Sequence, residues 1–286
     1  TRARLALGAG VTLILDKGWG DDTVIRAVDA LAPEERPEIE AAARILAVPG
    51  GYYEDFALEI EPEEIGPLVR RQAAAGKGWV KIIGDWPRRG MGPMPNFTED
   101  ELRRAVAEAD DVGARVAVHT MAREVPSQAV AAGVHSIEHG LFLSEDDLSV
   151  LGARGGMWVP TLLRNEATMA DLGPESSGRR LFMEGLQHVR ALLPLAIEAG
   201  VEVLAGTDLA GAPADVAAEA LRLIDYGLSG AQAVAAVSTS GFRATDRDFV
   251  FAPGAPSNAV FFAADPVTEP AVLAHPSAVI RLGRLL

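Results

Sequence analysis

The feature that most constrains the fold of this chain is the regular alternation of short β-branched runs with longer, alanine-rich amphipathic stretches. Such alternation is typical of parallel strands joined by crossover helices. It predicts seven strands, at residues 11–15, 45–48, 79–83, 115–119, 134–138, 157–159 and 201–205. It also predicts helices at residues 62–75, 98–112, 127–132, 144–153, 177–199, 214–226 and 229–245. The pattern therefore indicates an α/β fold of the TIM-barrel, (β/α)8 type.

A complete barrel of this type needs eight strands in about 250 residues, and strand one has no counterpart in this sequence. We expect that strand to precede residue 1, which is Thr. After residue 245 the alternation stops, and residues 258–263 and 278–286 are predicted to form two antiparallel strands. The expected organisation is a barrel over residues 1–248, followed at residues 249–286 by the C-terminal strands of a small β-sandwich formed by the two chain ends.

Charge and cysteine content exclude several classes of function. Lys and Arg number 26 against 40 Asp and Glu, which gives a net charge of −14. An acidic chain repels phosphate backbones and anionic lipids, so we expect no nucleic-acid or membrane partner. The absence of cysteine excludes disulfides, a thiol nucleophile and thiolate metal sites.

No stretch is apolar enough for a membrane span or resembles a signal peptide, which favours a cytoplasmic protein.

Polar side chains end several predicted strands, which is where the loops of such a barrel carry chemistry. His119 and His139 end the fourth and fifth strands, and Asp208 follows the seventh. Other polar residues near strand ends are Asp16, Lys17, Asp85, Glu138, Thr161 and Thr207. Two histidines on neighbouring strands with a carboxylate at the same edge indicate a metal site, and zinc is preferred on ligand type.

Lys81 lies inside the strand Trp-Val-Lys-Ile-Ile at residues 79–83. Burying an unpaired lysine is costly, so a lysine in such a place usually has a function. Three interpretations remain open: a Schiff-base amine, a modified metal ligand, or a side chain whose stem reaches the rim of the barrel.

The order of seven motifs along the chain resembles the amidohydrolase superfamily, in particular its imidazolonepropionase-like and metal-dependent dipeptidase branch. The motifs are Gly-Val-Thr-Leu-Ile-Leu-Asp-Lys-Gly (10–18), Trp-Val-Lys-Ile-Ile (79–83), Val-Ala-Val-His-Thr (116–120), Ala-Gly-Val-His-Ser-Ile-Glu-His-Gly (132–140), Val-Pro-Thr-Leu (159–162), Leu-Ala-Gly-Thr-Asp (204–208) and Pro-Gly-Ala-Pro-Ser-Asn-Ala-Val-Phe-Phe-Ala-Ala-Asp-Pro (253–266). The resemblance covers essentially the whole chain.

This resemblance implies a hydrolase that cleaves an amide, cyclic amide or related C–N bond of a small substrate by attack of metal-bound hydroxide. It implies one or two divalent ions held by His119, His139 and Asp208, with Lys81 carbamylated and bridging them. Asp208 would also act as general base. The physical argument agrees, because a carbamate converts a cationic amine into an anionic oxygen ligand.

Two departures from the family pattern affect the expected metal set and the substrate. The family's His-x-His pair on strand one is not found in this sequence, which matches the strand missing from our count. Tyr52 stands where related sequences often have a histidine, and Arg164 follows the Val-Pro-Thr-Leu motif. We expect both residues to contact substrate, and an arginine suits a substrate carboxylate.

Two other functions remain as alternatives. One is an aldolase-type or lyase barrel in which Lys81 forms a Schiff base. The other is a catalytically inactive relative that binds a small molecule. In every case the expected partner is a small-molecule substrate or ligand, and a homo-oligomer is left open.

Overall fold

The computed structural model describes residues 2–209, 215–247, 252–254 and 257–286. Its strands are β1 (Leu13–Asp16), β2 (Glu38–Ala42), β3 (Leu46–Ala47), β4 (Leu58–Glu59), β5 (Gly78–Ile83), β6 (Asp85–Arg88), β7 (Gly92–Pro95), β8 (Arg115–Thr120), β9 (Ser136–His139), β10 (Met157–Val159), β11 (Glu202–Val203), β12 (Ala259–Phe261), β13 (Ala278–Arg281) and β14 (Arg284–Leu285). Its α-helices are α1 (Arg2–Gly8), α2 (Thr23–Asp29), α3 (Ile65–Ala75), α4 (Glu99–Asp110), α5 (Val125–Ala131), α6 (Glu145–Ala153), α7 (Leu162–Asp171), α8 (Ser177–Glu198), α9 (Val216–Asp225), α10 (Gly230–Ala236) and α11 (Thr239–Ala244). Three short 3-10 helices occupy Pro33–Glu35, Pro62–Glu64 and Pro270–Ala274.

The main sheet is parallel and runs in the order β1-β2-β5-β8-β9-β10-β11, with β3 and β4 attached beside β5. These seven successive strands form a curled half-barrel, as expected for part of a TIM barrel. In the described residues β1 and β11 do not pair with each other, so the sheet is open between them. The predicted α/β class is thereby confirmed, and six of the seven predicted strands match strands of this order.

The two faces of the sheet differ in chemistry because side chains alternate along a strand. Val80 and Ile82 of β5 lie in the large apolar core between sheet and helices, together with Trp158 of β10. On the other face, a smaller cluster includes Trp79 and Met157. Lys81 shares the two-residue period of Trp79, which places it on this inner face.

Local sequence signals explain the helix starts that were predicted correctly. Thr98 caps α4, where its hydroxyl accepts the Glu101 backbone N–H and the Glu101 carboxylate accepts the Thr98 backbone N–H. Ser144 and Asp147 make the same reciprocal pair at the start of α6. Each cap satisfies backbone donors that the first helical turn leaves free.

The second strand of the half-barrel is β2, at residues 38–42, whereas the predicted run 45–48 contains the short strand β3 beside it. Glutamate is a poor strand former, so residues 38–42 give a weak local signal. In the structure Arg247 binds both Glu38, at 2.9 Å, and Glu40. These ion pairs offset the poor strand propensity of the two glutamates, so that β2 pairs with β1 and β5.

Helix α7 and the hairpin formed by β6 and β7 were not predicted. The first two backbone N–H groups of α7, from Leu162 and Leu163, donate to the carboxylate of Glu219 on α9, at 2.7 and 3.0 Å. A helix whose start is capped by a residue more than fifty positions away has no capping signal in its own sequence. Helix α2 was missed as well, and it has no side-chain cap.

The C-terminal residues form a three-stranded antiparallel sheet in the order β12-β13-β14. The predicted antiparallel pair is present, but the second strand turns at Leu282 and Gly283, which both have positive φ. The expected β-sandwich is not confirmed: the described C-terminal strands make one sheet, and residues 2–8 are helical. The predicted boundary at 248/249 lies outside the described residues.

Within the described ranges, no helix has the length and apolar character needed to cross a bilayer.

Gly152 on α6 lies so close to the end of α8 that a side chain at this position would collide with the backbone there. A Cβ at this position would overlap the carbonyl oxygen of Ala199 and lie 2.8 Å from its carbonyl carbon. We expect Gly152→Ala to lower the free energy of unfolding by about 2 kcal/mol, measured by urea denaturation. Gly173→Ala is the control, since no atom lies within 4 Å of its added Cβ. Equal stability of the two variants would contradict the close approach of these helices.

Candidate active site

The residues proposed from sequence lie at one end of the half-barrel, where its parallel strands finish. Lys81 is on β5, His119 is the fifth residue of β8, and His139 ends β9. In the register, Ile83 pairs with His119 and His119 pairs with Glu138. Asp208 follows β11, at the far side of the same edge. The structure therefore brings these sequence-predicted residues to one region.

His119 and His139 form the centre of the site. Their rings meet edge to face with centroids 4.7 Å apart, and both residues are buried. Burial lowers the pKa of His119 well below its ordinary value, and the neighbouring His139 and Lys81 lower it further. Burial also lowers the pKa of His139, against an opposing effect of Asp208. Both imidazoles are therefore neutral near pH 7, which is the form that binds metals.

The ring orientation of His139 is set by Thr161, which follows β10. The Thr161 hydroxyl donates to the carbonyl of Pro160 at 2.8 Å and lies 2.5 Å from Nδ1 of His139. A hydroxyl has one proton, so with that proton on Pro160 it accepts from Nδ1–H. This tautomer leaves Nε2 of His139 with a free lone pair. His139 can thus bind a metal or accept a proton through Nε2.

The amines of two lysines and the carboxylate of one glutamate lie in the interior on the inner face of the sheet. Nζ of Lys17 lies 3.8 Å from Oε1 of Glu138 and 3.0 Å from the ring centroid of Trp79. The Ser136 hydroxyl donates to the same Glu138 oxygen at 2.6 Å. Burial lowers the pKa of Lys17 to about 7 and also lowers the pKa of Lys81. Burial alone would raise the pKa of Glu138, but Lys17, Lys81, the Ser136 hydrogen bond and His139 together lower the pKa below its ordinary value.

Asp85 is a site residue to which the sequence assigned no role. It is fully buried, and its Oδ2 accepts the backbone N–H groups of Met121 and Ala122 at 2.8 and 2.9 Å. Its Oδ1 lies 4.0 Å from Nε2 of His119. Burial raises the pKa of Asp85 to about 7 in spite of those two hydrogen bonds. Its position directly after β5 was the available signal, although the partner histidine follows only from the fold.

The rim of the site carries Asp208, Arg164 and Tyr52. Nε of Arg164 donates to the backbone carbonyl of Asp208 at 2.8 Å and lies 3.7 Å from its Oδ2. The Asp208 side chain is 52% exposed, so it can still reach a bound molecule. Burial and then the charge of Asp208 raise the pKa of Tyr52. The two predicted substrate contacts are therefore placed near the predicted base.

Backbone strain is concentrated in the same region. His139, Thr161 and Asp208 have φ of +64°, +47° and +41°, in the left-handed region that non-glycine residues rarely adopt. Thr161 is the most unusual of them because it is β-branched. Such strain persists only where surrounding structure imposes it, and it occurs often at functional sites.

The fit of these residues to a metal ion is partial. The part of the chain described by the structure contains no cluster of three or more His, Asp or Glu side chains placed to hold a metal. However, Nε2 of His119 and Oδ1 of Asp85 are buried and have no hydrogen-bond partner among the described residues. Nε2 of His139 also has a free lone pair. Two imidazoles thus suit one ion, and further oxygen ligands must come from another group.

Two sequence relatives place the chain among known proteins. A Mycobacterium tuberculosis protein described as uncharacterized is 35% identical over an alignment of 291 positions, which covers 96% of this chain and 75% of that protein. The ochratoxinase of Aspergillus niger is 28% identical over an alignment of 158 positions, which covers 52% of this chain and 32% of that enzyme.

Solved structures show the same fold. A Xaa-Pro dipeptidase crystallised with bound methionine matches all of this chain and 77% of its own, with a TM-score of 0.84 and 24% identity. The crystal structure of A. niger ochratoxinase matches 99% of this chain and 74% of its own, with a TM-score of 0.81 and 19% identity. At such identities the likeness is one of fold alone.

The family model described as "Amidohydrolase family" matches residues 2–286, which are nearly the whole sequence. Enzymes of this family are generally metal-dependent. The match agrees with the motif order, the half-barrel and the position of the histidines at strand ends. The chain therefore belongs to the amidohydrolase family, whose members hydrolyse carbon–nitrogen bonds.

Proposed function

We propose that the protein is a metal-dependent hydrolase that cleaves an amide, cyclic amide or related C–N bond of a small substrate. The observation that carries this proposal is the pair of buried imidazoles, His119 and His139, whose ring centroids lie 4.7 Å apart at the ends of adjacent strands. Neutral imidazole is a common metal ligand, and the edge of the sheet where strands finish is the catalytic edge of this fold.

The groups proposed to hold the metal are His119, His139, Asp208 and a carbamylated Lys81. Lys81 is buried beside His119, where a carbamate would supply the oxygen ligands that the two imidazoles lack. Nitrogen and oxygen ligands of this kind favour zinc. A divalent ion bound there would polarise the scissile carbonyl and acidify a water molecule.

Asp208 is proposed to move the proton. Its carboxylate would take a proton from the attacking water and return it to the leaving nitrogen. The Arg164 hydrogen bond to the Asp208 carbonyl holds this loop position, and the same guanidinium can receive a substrate carboxylate. Tyr52 would cover the other side of the substrate.

A second candidate function is favoured by one observation, the buried amine of Lys81 with its lowered pKa. A deprotonated lysine can form a Schiff base with a carbonyl substrate. Borohydride added with candidate ketoacids would then trap an adduct on Lys81. Absence of an adduct, together with activity that a chelator abolishes, would reject this alternative.

The experiment that tests the main proposal combines metal analysis with activity. We expect full-length protein purified without chelator to contain at least one zinc, manganese or iron per chain by plasma spectrometry. It should hydrolyse some members of a panel of dipeptides, N-acyl amino acids and hydantoin-like rings, and a chelator should abolish that activity. Metal content well below one per chain would contradict the mechanism. Metal without activity on such a panel would favour an inactive binding protein.

Asp208→Asn tests the assigned base. The substitution removes the proton-accepting carboxylate, so we expect turnover to fall by about a hundredfold or more. Thermal stability should change little, because the side chain is half-exposed and Asn tolerates the positive φ of this position. Asp171→Asn, at the exposed end of α7, is the control and should keep full turnover. Near-normal turnover of the Asp208 variant would remove Asp208 from the mechanism.

The two buried lysines allow a matched test of the carbamate. We expect Lys81→Ala to lose metal and activity, and acetate or propionate added in solution to restore part of both by occupying the vacated space. Lys17→Ala removes the other buried amine, which lies against Glu138 and Trp79, and should not respond to carboxylic acids. Metal content and rates with and without acid are the measurements.

The result of the lysine test also separates the alternatives. Rescue of both variants, or of neither, would contradict the specific role of Lys81. Activity that survives Lys81→Ala would indicate a lysine that only reaches the rim. A crystal of metal-loaded protein should show a carboxylate group beyond Nζ of Lys81.

A further inference from the structure

Five aromatic side chains form a connected surface at the mouth of the candidate site, called here the aromatic wall. Its consecutive ring contacts have centroid distances of 4.6 to 5.9 Å, and most are edge to face. The wall consists of Trp19, Tyr52, Tyr53, Phe56 and Trp86. Aromatic residues make up only 6% of the chain, so their concentration at one place calls for a physical reason.

The wall borders the imidazole pair directly. The ring centroids of Trp86 and Tyr52 lie 5.8 and 6.5 Å from that of His119. A substrate whose reacting carbonyl lies at His119 and His139 would therefore extend over these rings on one side.

The inner side of the wall packs on protein, whereas its outer side is open. Tyr52, Phe56 and Trp86 pack against a small buried cluster that includes Ile45 and Ile83. Tyr53, by contrast, is 64% exposed and Trp19 is 37% exposed. Leaving large rings in water gives up the free energy that their burial would contribute. This cost is recovered if a ligand covers them.

The wall is held rigidly by polar contacts behind it. Arg88 donates to the Gly50 carbonyl and, at 2.8 Å, to Oδ1 of Asn96. Nδ2 of Asn96 donates at 2.9 Å to the carbonyls of Gly51 and Ile83. These bonds join the loop that carries Tyr52 and Tyr53 to the hairpin that carries Trp86. A surface ordered before binding loses less conformational entropy when a ligand arrives.

We propose that the aromatic wall is the specificity subsite of the enzyme and takes an uncharged aromatic or alicyclic ring of the substrate. This inference rests on the proposed function in assuming that the amide lies at His119 and His139. A ring is favoured over a short aliphatic group because edge-to-face and stacked contacts add to the area that is buried. The substrate class is then an amide with a ring-bearing substituent close to the scissile bond.

Ligand binding tests the subsite without requiring catalysis. The probes are N-acetyl-L-phenylalanine, N-acetyl-L-cyclohexylalanine, N-acetyl-L-alanine and N-acetyl-L-lysine, titrated into the full-length protein by ligand-observed NMR. We expect the two ring-bearing probes to bind about tenfold or more tightly than the alanine probe. Equal binding of alanine, or stronger binding of lysine, would overturn the proposal.

Variants locate the binding on the wall. Trp86→Ala and Tyr53→Ala should each weaken the ring-bearing probes about tenfold, and Trp86→Phe should retain most of the affinity because a ring remains. The exposed Tyr53 keeps the test valid if the Trp86 variant folds poorly. Phe261→Ala is the matched control, since Phe261 is 49% exposed on the separate C-terminal sheet. Loss of binding in the Phe261 variant, or none in the wall variants, would contradict the assignment.

The outcomes also separate this inference from the proposed function. If ring-bearing probes bind through Trp86 but no amide is hydrolysed, the subsite stands and the hydrolase mechanism fails. If amides are hydrolysed with the same kcat/KM for phenylalanine and alanine derivatives, the mechanism stands and the subsite fails. Support for both requires a preference in kcat/KM for the ring-bearing amide that Tyr53→Ala reduces about tenfold and that the control Phe261→Ala leaves unchanged.

Discussion

The buried carboxylate of Glu138 is the charge on which the inner face of the half-barrel depends. Lys17 lies in the same interior, and an isolated ammonium group there would be strongly destabilising. Glu138 lies 3.8 Å from the Lys17 amine and is oriented by the Ser136 hydroxyl. Its strand register places it opposite His119. One acidic residue thereby makes a polar, reactive interior compatible with a stable sheet.

Because side chains alternate along a strand, one face of the sheet carries the apolar core residues and the other face carries the polar residues of the candidate site. On β5, Val80 and Ile82 face the helices and contribute to the main apolar core, whereas Lys81 between them faces inward. The same alternation on β8 buries Val118 among apolar residues and leaves His119 inside. Because all strands of the sheet are parallel, their inward polar residues meet at a single edge. The site is therefore a direct result of sheet geometry.

The loops after the strands determine which molecules can approach that edge. Beyond β5, the chain forms the β6–β7 hairpin, and Arg88 and Asn96 bind this hairpin to the loop at Gly50 and Gly51. Ring-bearing side chains stand on both parts. Loops carry specificity in folds of this kind because they vary without disturbing the core. The proposed preference for a ring thus comes from residues outside the sheet, while the proposed reaction belongs to residues within it.

The sequence by itself determined six of the seven strands of the half-barrel, most helices and the polar residues at strand ends. Those features depend on neighbours along the chain, such as the Thr98 cap of α4. Only the tertiary structure decided that Asp85 lies near His119. It also decided that the Glu219 carboxylate caps the start of α7 and that Arg247 forms ion pairs with the glutamates of β2. It likewise decided that Tyr52 and Trp86 form one surface. Each of these joins side chains whose proximity depends on how the chain folds back on itself, and local periodicity carries no information about such contacts.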